Sequence, residues 1–268
     1  MIIDFHTHCF PDALAPRALS ALEHNAEQTQ MRPSTDGTAA GTQKLIATYG
    51  IDQAVVCNIA TNAHQQPKVN SFAITLAQQK GALIPLGSLH PDFEDNKSEI
   101  ERLMAAGIKG IKLHPDYITT EINDTKFDEI FSLCEDTGVF VVTHAGWDPV
   151  SPSHIHATPQ GILDVITRHP KLKLVAAHMG GYACSDEVIE KLVGKDIYID
   201  TSLSSHRANE SENLIKILRH HSPDRLLFAT DTPWSNPQKE LEFIYSAKLS
   251  DQLTENTLFR NAATLLML

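Results

Sequence analysis

Short apolar runs alternate with longer amphipathic segments along the whole chain. The runs are rich in Val, Ile and Leu, which is typical of strands buried on both faces of a sheet. The longer segments carry apolar residues at helical spacing, and several end beside a glycine, as helices often do. The predicted strands span residues 1–8, 53–59, 82–89, 108–113, 139–144, 172–178, 197–202 and 225–231. The predicted helices span residues 67–80, 96–106, 125–137, 159–168, 186–193 and 210–221.

This order of elements predicts an α/β fold, a (β/α)₈ TIM barrel. Eight strands alternating with helices imply a parallel sheet covered by helices, and the chain length suits a barrel. An open doubly wound sheet is the alternative, but it normally carries a glycine-rich phosphate loop after its first strand. Here Cys9-Phe10-Pro11 follows that strand. We therefore expect a single barrel domain over residues 1–268, with a last helix over residues 253–268 packed under the barrel.

The connection between the first two strands is unusually long. It runs from Cys9 to Gly50 and is polar around residues 26–41. We interpret it as a helix followed by an excursion over the mouth of the barrel. A disordered insertion without a role fits the composition equally well, because long loops are either functional or disordered.

Composition and charge narrow the range of partners. The chain has 268 residues, 42% of them hydrophobic, and a formal net charge of −11. That charge argues against a nucleic-acid-binding surface, which usually needs a basic face. The cysteines are scattered without C-x-x-C spacing, which favours a reduced, cytoplasmic protein, and no apolar run has the length of a membrane span. We expect a small-molecule substrate, no membrane or nucleic-acid partner, and a homodimer.

Two histidines stand at the end of the first predicted strand. Side chains alternate along a strand, so Asp4, His6 and His8 project to the same side. Two imidazoles held one residue apart suit a metal such as zinc. Histidines also occur in strand cores for structural reasons, and this segment alone leaves both interpretations open.

Further polar residues stand at the ends of other predicted strands. In barrel enzymes the active site is built at the C-terminal ends of the strands, so residues far apart in sequence meet there. We therefore expect one small volume to contain the side chains of His6, His8, His114, His144, His178 and Asp231.

Five short motifs occur in order along the chain. They are DFHTH at residues 4–8, GIKLHP at 110–115, VTHAG at 142–146, AAHMGG at 176–181 and FATDTPW at 228–234. With these motifs the whole chain resembles the amidohydrolase superfamily. It is most similar to the branch of metal-dependent hydrolases related to aminocarboxymuconate-semialdehyde decarboxylase.

The resemblance implies one divalent metal ion, zinc in the first place and manganese in the second. Its implied ligands are His6, His8, His144 and Asp231. The catalytic residues that it implies are His178 and Asp231, which would handle protons. In two-metal members of the superfamily a carbamylated lysine on the fourth strand bridges the ions, and the histidines of the fifth and sixth strands bind the second ion. Lys112, His144 and His178 have those positions. Alternatively Lys112 pairs with a buried acid such as Asp4 or Asp200.

Four residues are candidate substrate contacts: Lys112, His114, Arg207 and Trp234. Arg207 has a guanidinium that can pair with a carboxylate through two hydrogen bonds, but an arginine facing water at a helix start is equally ordinary. Pro115 begins a turn that can hold His114 for structural reasons. Trp234 suits a pocket wall, although tryptophans at such positions also seal loops onto a barrel.

The expected activity is hydrolysis of a small carbonyl compound, an ester, lactone or amide, through metal-activated water. Non-oxidative decarboxylation of a carboxylate substrate at the same metal site is the alternative. A metal-binding barrel without catalysis is the second alternative. The ligand set is the same for all three, and fold alone does not fix function.

Overall fold

The computed structural model describes residues 1–29 and 31–268, and over these residues eight parallel strands follow one another in chain order around a barrel. The strands are β1 (Ile3–Thr7), β2 (Gln53–Cys57), β3 (Leu83–Ser88), β4 (Gly110–Leu113), β5 (Phe140–Thr143), β6 (Leu174–Ala176), β7 (Tyr198–Asp200) and β8 (Leu226–Leu227). The last strand returns to the first, where the backbone N–H of Phe5 donates to Phe228 (2.8 Å) and that of Asp231 to His6 (2.8 Å). The predicted (β/α)₈ barrel is confirmed.

Every observed strand lies within its predicted range, and most are shorter at the C-terminal end. The reason is visible at His178 and Asp231, where the backbone enters the left-handed region with φ of 55° and 66°. Such a residue leaves the strand and turns its side chain into the barrel mouth. His178 and Asp231 therefore belong to the loops that build the site.

Helices cover the outside of the barrel. They are α1 (Ala15–Asn25), α2 (Ala39–Thr48), α3 (Gln66–Gln78), α4 (Asn96–Ala105), α5 (Pro115–Ile118), α6 (Asp128–Thr137), α7 (Pro159–Arg168), α8 (Ser185–Lys191), α9 (Ser211–His220), α10 (Pro237–Ser246), α11 (Asp251–Glu255) and α12 (Asn261–Leu266), with a π-helical turn at Asn256–Arg260. All six predicted helices are present. In the described part of the chain, none of the helices combines the length and the apolar character that crossing a membrane requires.

Helices α2 and α10 were not predicted. Small residues and Gly41 dilute the apolar pattern of α2, and a local cap defines its start, where Thr38 accepts from the backbone N–H of Gly41 (2.9 Å). Asn236 caps α10 in the same way, and Pro237 follows in the first turn. Both sequences carry a cap signal, and the periodic signal is weak in α2 but not in α10.

The first connection lies over the barrel mouth. The backbone N–H of Phe10 donates to Gly37 (2.8 Å), which joins two parts of the connection, and that of Ser34 donates to Pro233 (2.8 Å) in the loop after β8. Leu22 contributes to the wall of the pocket above the strands. The predicted excursion is therefore present, but α2 replaces its last part.

The opposite end of the barrel is closed by α12. Its apolar side chains join the interior cluster that also contains Ile3, Phe5 and Leu227. The barrel is tightly packed at this level, because a Cβ atom at Gly110 would lie 2.4 Å from the ring of Phe140. A ligand can therefore reach the strand ends from the mouth and not through the barrel.

Candidate active site

His6, His8 and Asp231 meet at the junction of the first and last strands. One ligand atom from each lies within 4.8 Å of the others. The Nε2 atom of His8 is 3.0 Å from Oδ1 of Asp231, and Nε2 of His6 is 3.4 Å from the same oxygen. The structure thus brings together three of the four metal ligands that the resemblance implies.

Hydrogen bonds at Nδ1 of both imidazoles determine which nitrogen carries a proton. Nδ1 of His8 donates to the carbonyl oxygen of Cys57 (2.8 Å), and Nδ1 of His6 donates to Asp200 (2.8 Å). In a neutral imidazole the other nitrogen then carries a lone pair. Both lone pairs face the negatively charged carboxylate of Asp231. The lone pairs and the carboxylate repel each other unless a cation lies between the three side chains. This donor set of two nitrogens and one oxygen fits a divalent metal.

Lys112 lies directly beside this group. Its Nζ atom is 3.2 Å from Nε2 of His6, and the side chain is buried. Burial lowers the pKa of Lys112 and favours the neutral amine, which is the form that a carbamate requires. Asp4 and Asp200, the acids proposed as its ion-pair partners, bind Thr230 and His6 instead.

His144 and His178 face each other. Nδ1 of His144 lies 3.1 Å from Nε2 of His178. These two nitrogens either share a hydrogen bond or point at one ion, as the two-metal alternative requires. Among the described residues that can form a ligand group of three, His144 is grouped with His114 and Asp148 and not with His6, His8 and Asp231. Its role as a ligand of the first metal stays a prediction.

Asp200, at the end of β7, orients two of these histidines. One oxygen accepts from His6, and the other accepts from the hydroxyl of Ser202 and from the backbone N–H of His178 (3.0 Å). Because the Ser202 hydroxyl donates to Asp200, its oxygen accepts from Nδ1 of His178 (2.7 Å). Nε2 of His178 then carries the lone pair. Burial and the neighbouring His144 lower the pKa of His178 well below its ordinary value, so the ring is neutral.

His114 packs against His144 instead of facing the pocket. The two rings are stacked with their centroids 4.3 Å apart, and Nε2 of His114 lies 3.5 Å from Oδ2 of Asp148. Burial lowers the pKa of His144 to about 3, with a further contribution from His114. The structure thus places His114 behind the pocket wall to which His144 and Asp148 belong.

A pocket opens above the histidines and Asp231. Its walls are largely aromatic and aliphatic, and Trp234 contributes to them as predicted. None of the described lining residues is lysine or arginine. The lining consists of Leu22, Asn25, Ala26, Met31, Tyr117, His144, Trp147, Asp148, Pro149, Val150, His178, Tyr182, Leu203, Asp231 and Trp234.

Arg207 lies outside this lining and is fully engaged with the protein. Its Nε donates to Glu210 (2.8 Å), Nη1 donates to the carbonyl of His178 (2.9 Å), and Nη2 donates to that of Gly181 (3.1 Å). The side chain is only 2% exposed. The predicted contact with a substrate carboxylate would require these bonds to break.

Sequence reasoning missed Asp148, Tyr182 and the orienting role of Ser202. Asp148 follows His144 by four residues, outside the motif, and its pairing with His114 depends on the loop. Ser202 shares a strand face with Asp200, and this i, i+2 spacing was a readable signal. Tyr182 directly follows the AAHMGG motif, but nothing in the sequence shows that its ring lines the pocket.

The barrel and the strand-end cluster define a metal-dependent barrel enzyme. The sequence model of the Amidohydrolase family matches residues 3–268. The chain therefore belongs to the amidohydrolase family, as the five motifs predict. Among curated proteins, none matches this sequence.

Solved structures of low sequence identity share the fold. A putative 2-pyrone-4,6-dicarboxylic acid hydrolase from Pseudomonas putida is 16% identical, with 99% of this chain and 97% of that chain covered and a TM-score of 0.68. A 2,6-dihydroxybenzoate decarboxylase complexed with 2,6-dihydroxybenzoate is 15% identical, with 100% and 99% covered and a TM-score of 0.73. A 5-carboxyvanillate decarboxylase from Novosphingobium aromaticivorans with bound manganese is 14% identical, with 100% and 97% covered and a TM-score of 0.71.

Proposed function

We propose that this protein is a metal-dependent, non-oxidative decarboxylase of a small planar carboxylic acid. The bond between the substrate carbon and its carboxylate breaks, the electron pair stays on the carbon, and a proton takes the place of carbon dioxide. This reverses the order that the sequence favoured, in which hydrolysis came first.

The observation that carries this proposal is the character of the pocket. Its walls are aromatic and aliphatic, its acids are Asp148 and Asp231, and the described lining contains no cationic side chain. A carboxylate in such surroundings is poorly solvated, whereas neutral carbon dioxide loses little solvation free energy there. The same walls suit a flat ring, which can stack on Trp147 or Trp234.

His6, His8 and Asp231 would hold the metal ion, for which zinc and manganese are both suitable. A bound ion would supply positive charge that draws a negatively charged substrate into the pocket. Asp200 keeps the imidazole of His6 in the tautomer that this binding needs.

Asp231 and His178 are the proton-handling groups of the proposal. Both line the pocket, and both are mostly buried. Ser202 fixes the ring of His178 so that Nε2 can accept a proton and hand it on. The proton that replaces carbon dioxide would reach the substrate carbon from this side of the pocket.

The comparisons support decarboxylation, since the neighbours include decarboxylases of 2,6-dihydroxybenzoate and 5-carboxyvanillate. Hydrolysis is the second candidate. The lone pair on Nε2 of His178 can accept a proton from water, and one neighbour is a putative 2-pyrone-4,6-dicarboxylic acid hydrolase.

One experiment separates the two reactions. The metal-loaded protein is incubated with hydroxybenzoates that carry a ¹³C-labelled carboxylate and, separately, with aromatic esters and lactones. Decarboxylation releases labelled carbon dioxide and a product without the carboxylate, which mass spectrometry identifies. Products that have gained the elements of water, without labelled carbon dioxide, would establish hydrolysis instead.

A further inference from the structure

We propose that Arg207 is a positioning residue that clamps the segment His178–Tyr182 and thereby aims His178 into the pocket. The kinetic part of this inference rests on the proposed function. The clamp itself is a structural claim that can be tested without turnover.

The guanidinium binds the segment at two backbone positions. Nη1 donates to the carbonyl of His178 and Nη2 to that of Gly181, at 2.9 and 3.1 Å. The same group lies over the ring of Tyr182, with 5.2 Å between Cζ and the ring centroid. One side chain thus holds both ends of a segment that contributes His178 and Tyr182 to the pocket.

Glu210 fixes the guanidinium from the opposite side. Its carboxylate accepts from Nε (2.8 Å) and Nη2 (3.1 Å) of Arg207. Burial raises the pKa of Glu210, but the hydrogen bonds from Arg207 and Ser185 and the charge of Arg207 together outweigh it and leave the pKa below its ordinary value. This pairing leaves the guanidinium little freedom, so the two carbonyl groups are held in a defined place.

The clamped segment needs such support. His178 and Met179 have φ of 55° and 60°, and Gly180 has 82°, so three consecutive residues lie in the left-handed region. For residues with a Cβ this conformation is strained and persists only where surrounding contacts enforce it. Without Arg207 the segment can relax, and the imidazole of His178 then moves relative to the pocket.

Lysine cannot replace this arginine. An ammonium group is a point charge and lacks the planar fork that reaches both carbonyl groups while it lies on Tyr182. We therefore expect Arg207→Lys to retain the charge but not the geometry.

The first measurement is amide hydrogen exchange in the metal-loaded protein, which needs no substrate. Arg207→Met should accelerate exchange in residues 178–182 and leave β1 and β5 unchanged. The matched control is Arg225→Met. Arg225 also lies on a tyrosine, with 4.7 Å to the Tyr198 centroid, and pairs with Asp196, but it is at the start of β8, far from the mouth.

The second measurement is turnover per bound metal. Because a displacement of about 1 Å in a catalytic group costs on the order of 100-fold in rate, kcat should fall by about that factor in Arg207→Met, with a much smaller change in KM. Arg207→Lys should lose nearly as much, and Arg225→Met should retain wild-type kcat. If Arg207→Met does not fold, Arg207→Lys and Glu210→Gln take its place.

Unchanged exchange in residues 178–182 would overturn the clamp, and so would a wild-type kcat in a metal-loaded Arg207 variant. A rise in KM with unchanged kcat would instead support the original prediction of a substrate contact. If wild-type protein turns over no carboxylic acid, the proposed function is wrong. The hydrogen-exchange result still shows whether Arg207 holds residues 178–182 in place.

Discussion

At the scale of single residues, the hydrogen bond at Nδ1 of each site histidine determines whether its Nε2 atom carries a lone pair. The carbonyl of Cys57 directs the lone pair of His8 towards Asp231, and Asp200 does the same for His6. Ser202 orients His178. The donor set for a metal therefore depends on partners that carry no catalytic function themselves.

His178→Asn should abolish turnover and leave the metal content nearly unchanged. Asparagine has no group that can accept and return a proton near neutral pH, whereas the ligands His6, His8 and Asp231 remain. Activity assays and elemental mass spectrometry on the same preparation check this. If the variant loses metal as well, His178 is a ligand, and the two-metal alternative gains support.

At the scale of elements, each strand and its following loop have separate tasks. The strands and α12 fill the closed end of the barrel with apolar side chains, whereas the C-terminal parts of the strands and the loops after them carry the polar residues of the site. A substitution at the closed end can therefore change the free energy of unfolding without altering the active site at the open end.

Leu265→Ala tests that separation. Leu265 is 4% exposed in the cluster under the barrel, so truncation should lower the free energy of unfolding by about 2–5 kcal/mol. Urea denaturation measures this change. Met267→Ala is the control, because Met267 is 61% exposed and should shift stability by less than about 0.5 kcal/mol. Both variants should keep wild-type kcat at temperatures where they are folded.

At the scale of the whole molecule, buried acids link stability to pH. Glu240 on α10 accepts hydrogen bonds from Ser205 (2.6 Å) and Ser235 (2.6 Å), which joins the loops after β7 and β8. Burial raises its pKa from 4.5 to about 7. The folded protein therefore binds a proton between these pH values that the unfolded chain releases, and this contribution to stability is lost as the pH rises.

Glu240→Gln should remove that dependence. Between pH 5 and about 7, Glu240 alone makes the free energy of unfolding fall as the pH rises, by about 1 kcal/mol for each pH unit. The variant should show a correspondingly flatter profile in denaturation curves taken across this range. A slope equal to that of the wild type would mean that Glu240 is ionised in the folded protein.

Metal content is also a property of the whole molecule. Protein purified without a histidine tag or chelator should carry about one equivalent of zinc or manganese, and removal of the metal should lower Tm, because an ion bound only by the folded state stabilises it. About two equivalents, with a carbamate on Lys112 detected by its mass, would establish the two-metal arrangement.

The sequence by itself determined the barrel and the identity of the central polar residues. Apolar runs record burial on both faces of each strand, so all eight strands were predictable. Their C-terminal ends must meet, and His6, His8 and Asp231 followed from that rule. The apolar spacing of α2 is weak and its cap is a short local signal, so this helix was not predicted. The apolar spacing of α10 was readable and was overlooked.

Only the tertiary structure decided which partner each polar side chain has. Arg207 was a candidate substrate ligand in the sequence, but the fold turns it onto the His178–Tyr182 segment. Asp148 and Ser202 acquire their roles through contacts with His114 and His178, which lie 34 and 24 residues away. Hydrogen bonds depend on distance and direction within a few tenths of an ångström, and residue order does not record these quantities.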